Sequence, residues 1–320
     1  MRMEQPRLFE ASFAKQHYRR SSTRVSRSHP LHWDRMTRVA IVCKPRKEEL
    51  VQLLPELIEW LRQHGYEPLL DREGGTYSQA APIVDRAEMP AHTPGLVVVL
   101  GGDGTLLSVA RIFAATGTPI LSVNLGSLGF LTEVRLGDLY ATLESWCADC
   151  HTLETRAMLH SEVWREGAFL TSYEALNEVV VSKGDIARMG EFVVELDGRH
   201  VARFRADGVI VSTPTGSTAY TLAANGPILT PDVDALVVTP ICPHLLTLRP
   251  IVLRGDSNLT VRVEGVPTQC LLTVDGQTGF ELRIDDEVRC RRSSYTVKLV
   301  RLSESGFFDA LRSKLSWGER

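Results

Sequence analysis

The segment of this 320-residue chain best suited to chemistry is the glycine-rich run Gly101-Gly102-Asp103-Gly104-Thr105. Glycines let the backbone approach phosphate oxygens closely, and exposed amides at the start of a helix supply partial positive charge. A carboxylate at Asp103 would repel phosphate, so it needs another task, such as holding a magnesium ion or accepting the proton of an attacking hydroxyl. The pattern indicates phosphoryl transfer, although the same residue types also build ordinary turns.

The run lies where a buried strand is predicted to end and a helix to begin. Residues 95–100 form a continuous apolar stretch bounded by glycines, which is typical of a strand covered on both faces in a parallel sheet. The neighbouring patterns predict strands at 38–43, 66–70 and 119–123 and helices at 50–61 and 106–115. This alternation predicts a doubly wound α/β layer over residues 37–150, with ligands beyond the carboxyl ends of its strands.

Beyond about residue 151 the pattern changes to short alternating or β-branched runs. These predict strands at 177–182, 191–196, 201–205, 209–213, 259–264, 271–274 and 280–284. Asp197-Gly198 and Asp275-Gly276 are hairpin signals. Residues 151–302 are therefore predicted to form a mostly β domain, and residues 303–320 a closing helix and tail.

The first 36 residues are rich in arginine and serine and lack apolar periodicity, which predicts a disordered extension. Their composition also resembles a mitochondrial transit peptide, and a wrongly assigned start codon upstream of Met36 is an equal alternative. A formal net charge of −3 provides no basic field to recruit nucleic acid or a membrane surface. Since no apolar run is long enough to span a bilayer, we expect a cytoplasmic protein.

Three further motifs narrow the class of phosphoryl transfer. The glycine-rich run alone is similar to that of a superfamily joining NAD kinases, diacylglycerol and sphingosine lipid kinases and, more distantly, phosphofructokinases. Residues 176–178, 207–220 and 240–244 resemble NAD kinase signatures in the right order, and lipid kinases do not carry this set. The resemblance also includes residues 124–131 and 275–277.

The resemblance implies an activity and a fold. ATP would phosphorylate the 2′-hydroxyl of the adenosine ribose of NAD in a Mg²⁺-dependent reaction, with Asp103 as the general base, and inorganic polyphosphate stays open as a donor. The fold would be a phosphofructokinase-like α/β N-terminal domain followed by a β-sandwich. No metal ligated by a set of protein side chains is expected.

The resemblance also implies which residues bind the nucleotides. Asn177 and Glu178 would hold the adenosine half of NAD, and a loop carrying Thr218, Ala219 and Tyr220 would line the adenine pocket. Asp207 and Tyr220 would contact NAD bound mainly by a neighbouring subunit, which implies a homodimer or homotetramer with shared active sites. The full predicted set comprises Gly101, Gly102, Gly104, Thr105, Phe130, Asn177, Glu178, Asp207, Thr218, Ala219, Tyr220, Cys242 and Gln277.

Two other functions stay open at this point. A lipid kinase of the same superfamily would share the glycine-rich run and differ in its acceptor. A catalytically silent NAD-binding sensor would keep the pocket motifs and lose the acid of the run, but Asp103 is present. An assay of the purified chain with NAD and with diacylglycerol separates these functions.

Overall fold

The computed structural model describes residues 37–126, 129–132, 134–184, 189–265, 269–301, 307–316 and 318. The predicted N-terminal extension lies outside these ranges, as do Ser127 and Leu128 of the segment 124–131. None of the helices in the described part of the chain is long and apolar enough to cross a membrane.

A parallel sheet near the start of the chain carries the glycine-rich run at its carboxyl edge. Its strands are β1 (Thr37–Cys43), β2 (Tyr66–Leu70), β3 (Leu96–Gly101), β4 (Ile120–Asn124) and β5 (Val134–Arg135). The helices are α1 (Glu49–Gln63), α2 (Arg72–Tyr77), α3 (Asp103–Phe113) and α4 (Leu139–Cys147), with 3-10 turns at Met89–His92 and Leu136–Asp138. The order β2-β1-β3-β4 is parallel throughout.

Helices cover both faces of this sheet, as the alternation in β1 illustrates. Val39, Ile41 and Cys43 pack with leucines of α1 and α4, whereas Ala40 and Val42 pack on the opposite face with residues of α3. Successive side chains of a strand point to opposite faces, so a strand covered twice must be apolar at every position. The predicted doubly wound α/β layer is confirmed.

The second half of the described chain is built mainly from strands. They are β6 (Thr152–Arg165), β7 (Ala168–Ala175), β8 (Glu178–Lys183), β9 (Gly190–Leu196), β10 (Arg199–Ala206), β11 (Gly208–Ser212), β12 (Ala235–Ile241), β13 (Ile251–Arg254), β14 (Leu259–Gly265), β15 (Cys270–Val274), β16 (Thr278–Leu282) and β17 (Glu287–Arg301). A six-stranded antiparallel sheet has the order β13-β12-β11-β8-β15-β16. Its inner face shares one core with β6, β7, β9, β10, β14 and β17, through side chains such as Phe192, Val209 and Leu272. The predicted β-sandwich is confirmed.

Two long strands run from the sandwich into the α/β layer. β6 and β17 are antiparallel partners from the pair Glu287–Trp164 to the pair Arg301–Thr152. Near its end β17 lies parallel to β4, where Leu299 pairs with Ile120. One 11-stranded sheet therefore continues through both parts of the fold. The boundary predicted after residue 150 falls in the turn between α4 and β6.

The prediction of a loop after β11 is wrong, because this segment folds into a 3-10 turn (Thr215–Thr218) followed by the short helix α5 (Tyr220–Ala223). Its hydroxyl groups bond to their own backbone. Ser217 Oγ donates to Pro214 O at 2.6 Å, and Thr213 Oγ1 accepts from Gly216 N at 3.2 Å. These local bonds favour a tight helical turn over an extended loop. The closing helix predicted within residues 303–320 is α6 (Phe307–Leu315).

Candidate active site

The glycine-rich run is anchored between neighbouring strands at the carboxyl edge of the parallel sheet. Lys44 N donates to Leu100 O at 2.8 Å, and Leu125 N donates to Gly101 O at 3.1 Å. Gly102 has an extended backbone as the N-cap of α3 and brings no side chain to bond the first amides of the helix. The amides of Asp103 and Gly104 precede the first hydrogen bond of the helix, from Thr105 N to Gly102 O, so this end of α3 is suited to an anion.

The carboxylate of Asp103 turns toward the segment 129–132. Its Oδ2 accepts from Phe130 N at 2.9 Å. Its Oδ1 accepts from Thr132 N at 3.0 Å, from Thr132 Oγ1 at 2.9 Å and from Leu131 N at 3.3 Å. Each carboxylate oxygen offers about two lone pairs. Oδ2, with one donor, therefore keeps room for a hydroxyl group, whereas Oδ1 is fully used.

Gly129 is required by the close approach of this carboxylate. A Cβ atom built on Gly129 would lie 1.9 Å from Asp103 Oδ1 and 2.6 Å from Oδ2. No side chain fits at that separation without displacing the acid or the segment. The family resemblance selected Phe130 here as a nucleotide-binding residue. It missed Gly129 and Thr132, which hold the acid in place.

A second group of polar atoms lies at the start of β8. The side chains of Asn177 and Glu178 are almost completely buried, with 8% and 6% of each residue exposed. Asn177 Oδ1 and Glu178 Oε2 have no hydrogen-bond partner in the described part of the protein. Burying a polar atom without a partner costs about 1–3 kcal/mol, so such atoms point to a ligand that completes them.

The charge state of Glu178 follows from its surroundings. Burial raises the pKa of Glu178 to about 8, the negative charge of Asp275 adds to the rise, and a hydrogen bond from the backbone amide of Tyr220 opposes it. At neutral pH the free protein therefore holds Glu178 mainly as the neutral acid. A neutral carboxyl can donate one hydrogen bond and accept others, which suits a ribose hydroxyl or a base edge.

Asp275 organises the backbone behind this pair. Its carboxylate is buried and accepts from Leu176 N at 3.0 Å, Asn177 N at 2.8 Å and Glu178 N at 3.1 Å. Arg111 Nη1, from the last turn of α3, lies 3.2 Å from its Oδ2 and compensates the charge. The carboxylate thereby fixes where β8 begins and which way its first side chains project.

The glycine-rich run and the buried pair are joined by one chain of hydrogen bonds. Arg111 Nη2 donates to Gln277 Oε1 at 2.7 Å, and Gln277 Nε2 donates to Gly104 O at 2.6 Å. Arg111 therefore connects Asp275 to the residue after Asp103. Sequence reasoning predicted Gln277 but missed Arg111, because a basic residue in the last turn of a helix is ordinary.

The remaining predicted residues lie in three places. Thr218 and Ala219 are half-buried, Tyr220 is 45% exposed, and these three lie beside Glu178 at the start of α5. Thr105 packs over Gly101, since a Cβ on that glycine would lie 2.5 Å from Thr105 Oγ1.

Asp207 and Cys242 lie elsewhere. β8 and β11 are antiparallel, and Glu178 pairs with Ser212 while Ser182 pairs with Gly208 at the opposite end. Asp207 precedes Gly208 and is therefore roughly 17 Å from Glu178 along the strands. Asp207 Oδ1 lies 2.6 Å from Lys183 Nζ, and its amide donates to Ile241 O, the residue before the exposed Cys242.

The site does not fit a resident magnesium ion. Among the described residues, no three carboxylate, histidine or cysteine side chains are grouped to hold a metal. Asp103 already accepts four hydrogen bonds from residues 130–132. Mg²⁺ keeps most of its waters and commonly binds substrate phosphates with one or two carboxylates. These residues fit an ion that arrives bound to a phosphate-bearing substrate.

A doubly wound layer with an acid among glycines, joined to a sandwich in which an amide–carboxyl pair lacks hydrogen-bond partners, defines a two-part protein suited to binding a nucleotide. The chain matches the ATP-NAD kinase N-terminal domain over residues 39–149 and the ATP-NAD kinase C-terminal domain over residues 176–302. The chain belongs to the NAD kinase family. The family predicted from the sequence motifs is confirmed.

Individual relatives agree with this assignment. An NAD kinase of Acidobacterium capsulatum is 64% identical over 285 residues, which cover 89% of this chain and 100% of the relative. An NAD kinase of Koribacter versatilis is 50% identical with the same coverage. The fold is similar to that of yeast NADH kinase complexed with NADH, with a TM-score of 0.81, 24% identity and 89% of each chain covered. An NAD kinase from Archaeoglobus fulgidus in complex with ATP has a TM-score of 0.68 at 24% identity, covering 88% of this chain and 99% of that chain.

Proposed function

We propose that this chain transfers the γ-phosphoryl group of ATP to the 2′-hydroxyl of the adenosine ribose of NAD and so makes NADP. The observation that carries the proposal is the hydrogen-bonded connection from Gly104, beside Asp103, through Gln277 and Arg111 to the buried start of β8. It joins an acid at the N-terminus of α3 to a pocket whose polar atoms lack partners.

The adenosine half of NAD completes the buried pair. Asn177 Oδ1 accepts from an exocyclic amino group or a hydroxyl, and the neutral carboxyl of Glu178 donates to an acceptor or receives a ribose hydroxyl. Thr218, Ala219 and Tyr220 form the adjoining wall. A site built to hydrogen-bond a ligand group rejects analogues that lack the group, because its own buried atoms would stay unpaired.

Asp103 acts on the acceptor hydroxyl. Oδ2 receives the 2′-hydroxyl through its free lone pair and takes its proton as the ribose oxygen forms a bond to the γ-phosphorus. The bond between the γ-phosphorus and the β,γ-bridging oxygen breaks, and ADP leaves with the electron pair of that bond. Hydrogen bonds from residues 130–132 hold the carboxylate in one orientation, and positioning of this kind supplies most of the catalysis in phosphoryl transfer. The donor is the magnesium complex of ATP, with its phosphates against the first amides of α3.

We infer that the active protein is a cytoplasmic homodimer or homotetramer with shared sites. The edge strand β13 exposes Ile251 and Val252, and the preceding segment exposes Leu246 to 87%. An exposed apolar edge strand is a ready surface for association. In such an assembly Asp207, roughly 17 Å along the strands from Glu178, contacts a dinucleotide bound mainly by a neighbouring subunit. Light scattering of the purified chain measures the assembly.

A coupled assay for NADP formation tests the activity. The purified chain is incubated with NAD and ATP, with and without Mg²⁺, and parallel reactions replace NAD by NADH or diacylglycerol and ATP by polyphosphate. We expect NADP formation that requires NAD, ATP and Mg²⁺. Phosphorylation of diacylglycerol without NADP formation would overturn the proposal in favour of a lipid kinase, and NAD binding without phosphorylation would favour a silent sensor.

A further inference from the structure

A cavity of about 280 Å³ lies next to the glycine-rich run. Gly101, Gly102 and Asp103 line it together with residues 124–126. Three lysines from two parts of the chain also line it: Lys44 and Lys47 in the loop between β1 and α1, and Lys314 on α6. None of these lysines was selected from the sequence.

The charge of this cavity is positive in a chain whose formal net charge is −3. Asp103 is the acid among the described residues that line it, and its oxygens accept hydrogen bonds from residues 130–132. Lys47 Nζ donates to Leu125 O at 2.8 Å and lies 3.7 Å from Glu49. Like charges facing one cavity repel each other unless an anion lies between them.

The helix α6 carries Lys314 on the face that docks against the rest of the protein. Ala310 and Leu311 are buried, with 3% and 2% of each residue exposed. Residues three and four apart lie on the same side of a helix, and Lys314 follows these two at that spacing. Arg312 is on another side, where it pairs with Asp309. The packing of α6 therefore brings Lys314, and not Arg312, to the cavity.

We propose that Lys44, Lys47 and Lys314 bind the phosphate chain of the phosphoryl donor, and that Lys314 makes the C-terminal helix part of the donor site. The inference rests on the proposed function and adds the donor side to it. An ammonium group is a point charge that recognises phosphate without reading the nucleoside. The ligand chemistry is thus a chain of phosphoanhydrides, supplied by a nucleoside triphosphate or by inorganic polyphosphate.

Binding of inorganic tripolyphosphate, measured by calorimetry on the full-length protein, tests this proposal without requiring turnover. We expect Lys314→Met and Lys44→Met each to weaken tripolyphosphate binding about tenfold, which is the usual effect of losing one charge-assisted contact. Lys314→Arg should restore part of the loss. Arg312→Met, on the same helix, is the matched control and should bind as the unaltered protein does. Melting temperatures identify any variant that has lost its fold.

Kinetics with NAD and ATP form the second arm. Lys314→Met should raise the KM for ATP about tenfold while leaving the KM for NAD unchanged. Unchanged affinity for tripolyphosphate in both lysine variants would overturn the proposal. A loss of affinity for ATP without a loss of affinity for tripolyphosphate would also overturn it, because Lys314 would then recognise the nucleoside. If the unaltered protein forms no NADP, the proposed function fails, yet the tripolyphosphate result still decides the role of the lysines.

Discussion

The buried carboxyl of Glu178 makes the stability of the free protein depend on pH in a defined direction. Burial and the neighbouring charge of Asp275 raise the pKa of Glu178 from its usual 4.5 to about 8. The folded protein therefore retains a proton that the unfolded chain releases. The contribution of Glu178 to stability is fully present below pH 4.5 and is lost as the pH rises through 8.

The size of the effect follows from the same values. A rise of the pKa from 4.5 to about 8 corresponds to roughly 5 kcal/mol between the two protonation states, which is an upper limit because water reaching the ionised group reduces it. Glu178→Gln keeps the shape and removes the charge. It should match the unaltered protein at pH 5 and exceed its stability by about 3–5 kcal/mol at pH 9.

Thermal unfolding of the ligand-free protein from pH 5 to pH 9 measures this difference. Glu59→Gln, which alters an exposed acid on α1, is the control and should follow the unaltered protein at every pH. Parallel loss of stability in the unaltered protein and Glu178→Gln would refute the reasoning, since Glu178 would then be charged in the folded state.

Three further substitutions test the parts that hold the site together. Gly129→Ala places a methyl group against Asp103 and should lower kcat/KM about 10²-fold, which is the usual cost of displacing a catalytic group by about 1 Å. The circular dichroism spectrum should stay unchanged. Normal activity would contradict this prediction, because residues 129–132 would then be free to move away from the methyl group. Arg111→Met leaves the buried Asp275 carboxylate without its cation, so it should lower the free energy of unfolding by about 3 kcal/mol and raise the KM for NAD. An unchanged melting temperature would contradict the predicted loss of stability. Thr132→Val removes a hydroxyl donor to Asp103 and should reduce kcat about tenfold, whereas Thr132→Ser should not.

The fold was predictable where burial repeats with a clear period. The strand that ends at Gly101 is apolar at every position because both of its faces are covered, and α1 shows the helical spacing of leucines. The long strands β6 and β17 escaped prediction because much of their length is half-exposed and rich in arginine and glutamate. Their pairing depends on contacts between residues far apart in sequence, which local patterns do not encode.

The site was predictable to the extent that its residues stand in motifs. Asp103 was selected as an acid within a glycine-rich run, and Glu178 was selected because its segment resembles a known family. Arg111, Thr132 and Lys314 were missed because each is an ordinary residue in its own helix or loop. Only the folded chain places Arg111 between Asp275 and Gln277, or Lys314 beside the glycine-rich run.

The turnover of Asp103→Asn, measured together with its affinity for NAD, tests the role of Asp103 most directly. We expect NADP formation to fall by about 10²-fold or more, as for loss of a general base, with NAD affinity within about threefold of the unaltered value. Because the amide also loses a bond to residues 130–132, Thr132→Val sets the size of the purely positional effect. A rate for Asp103→Asn no lower than that of Thr132→Val would contradict the assignment of Asp103 as the group that accepts the proton.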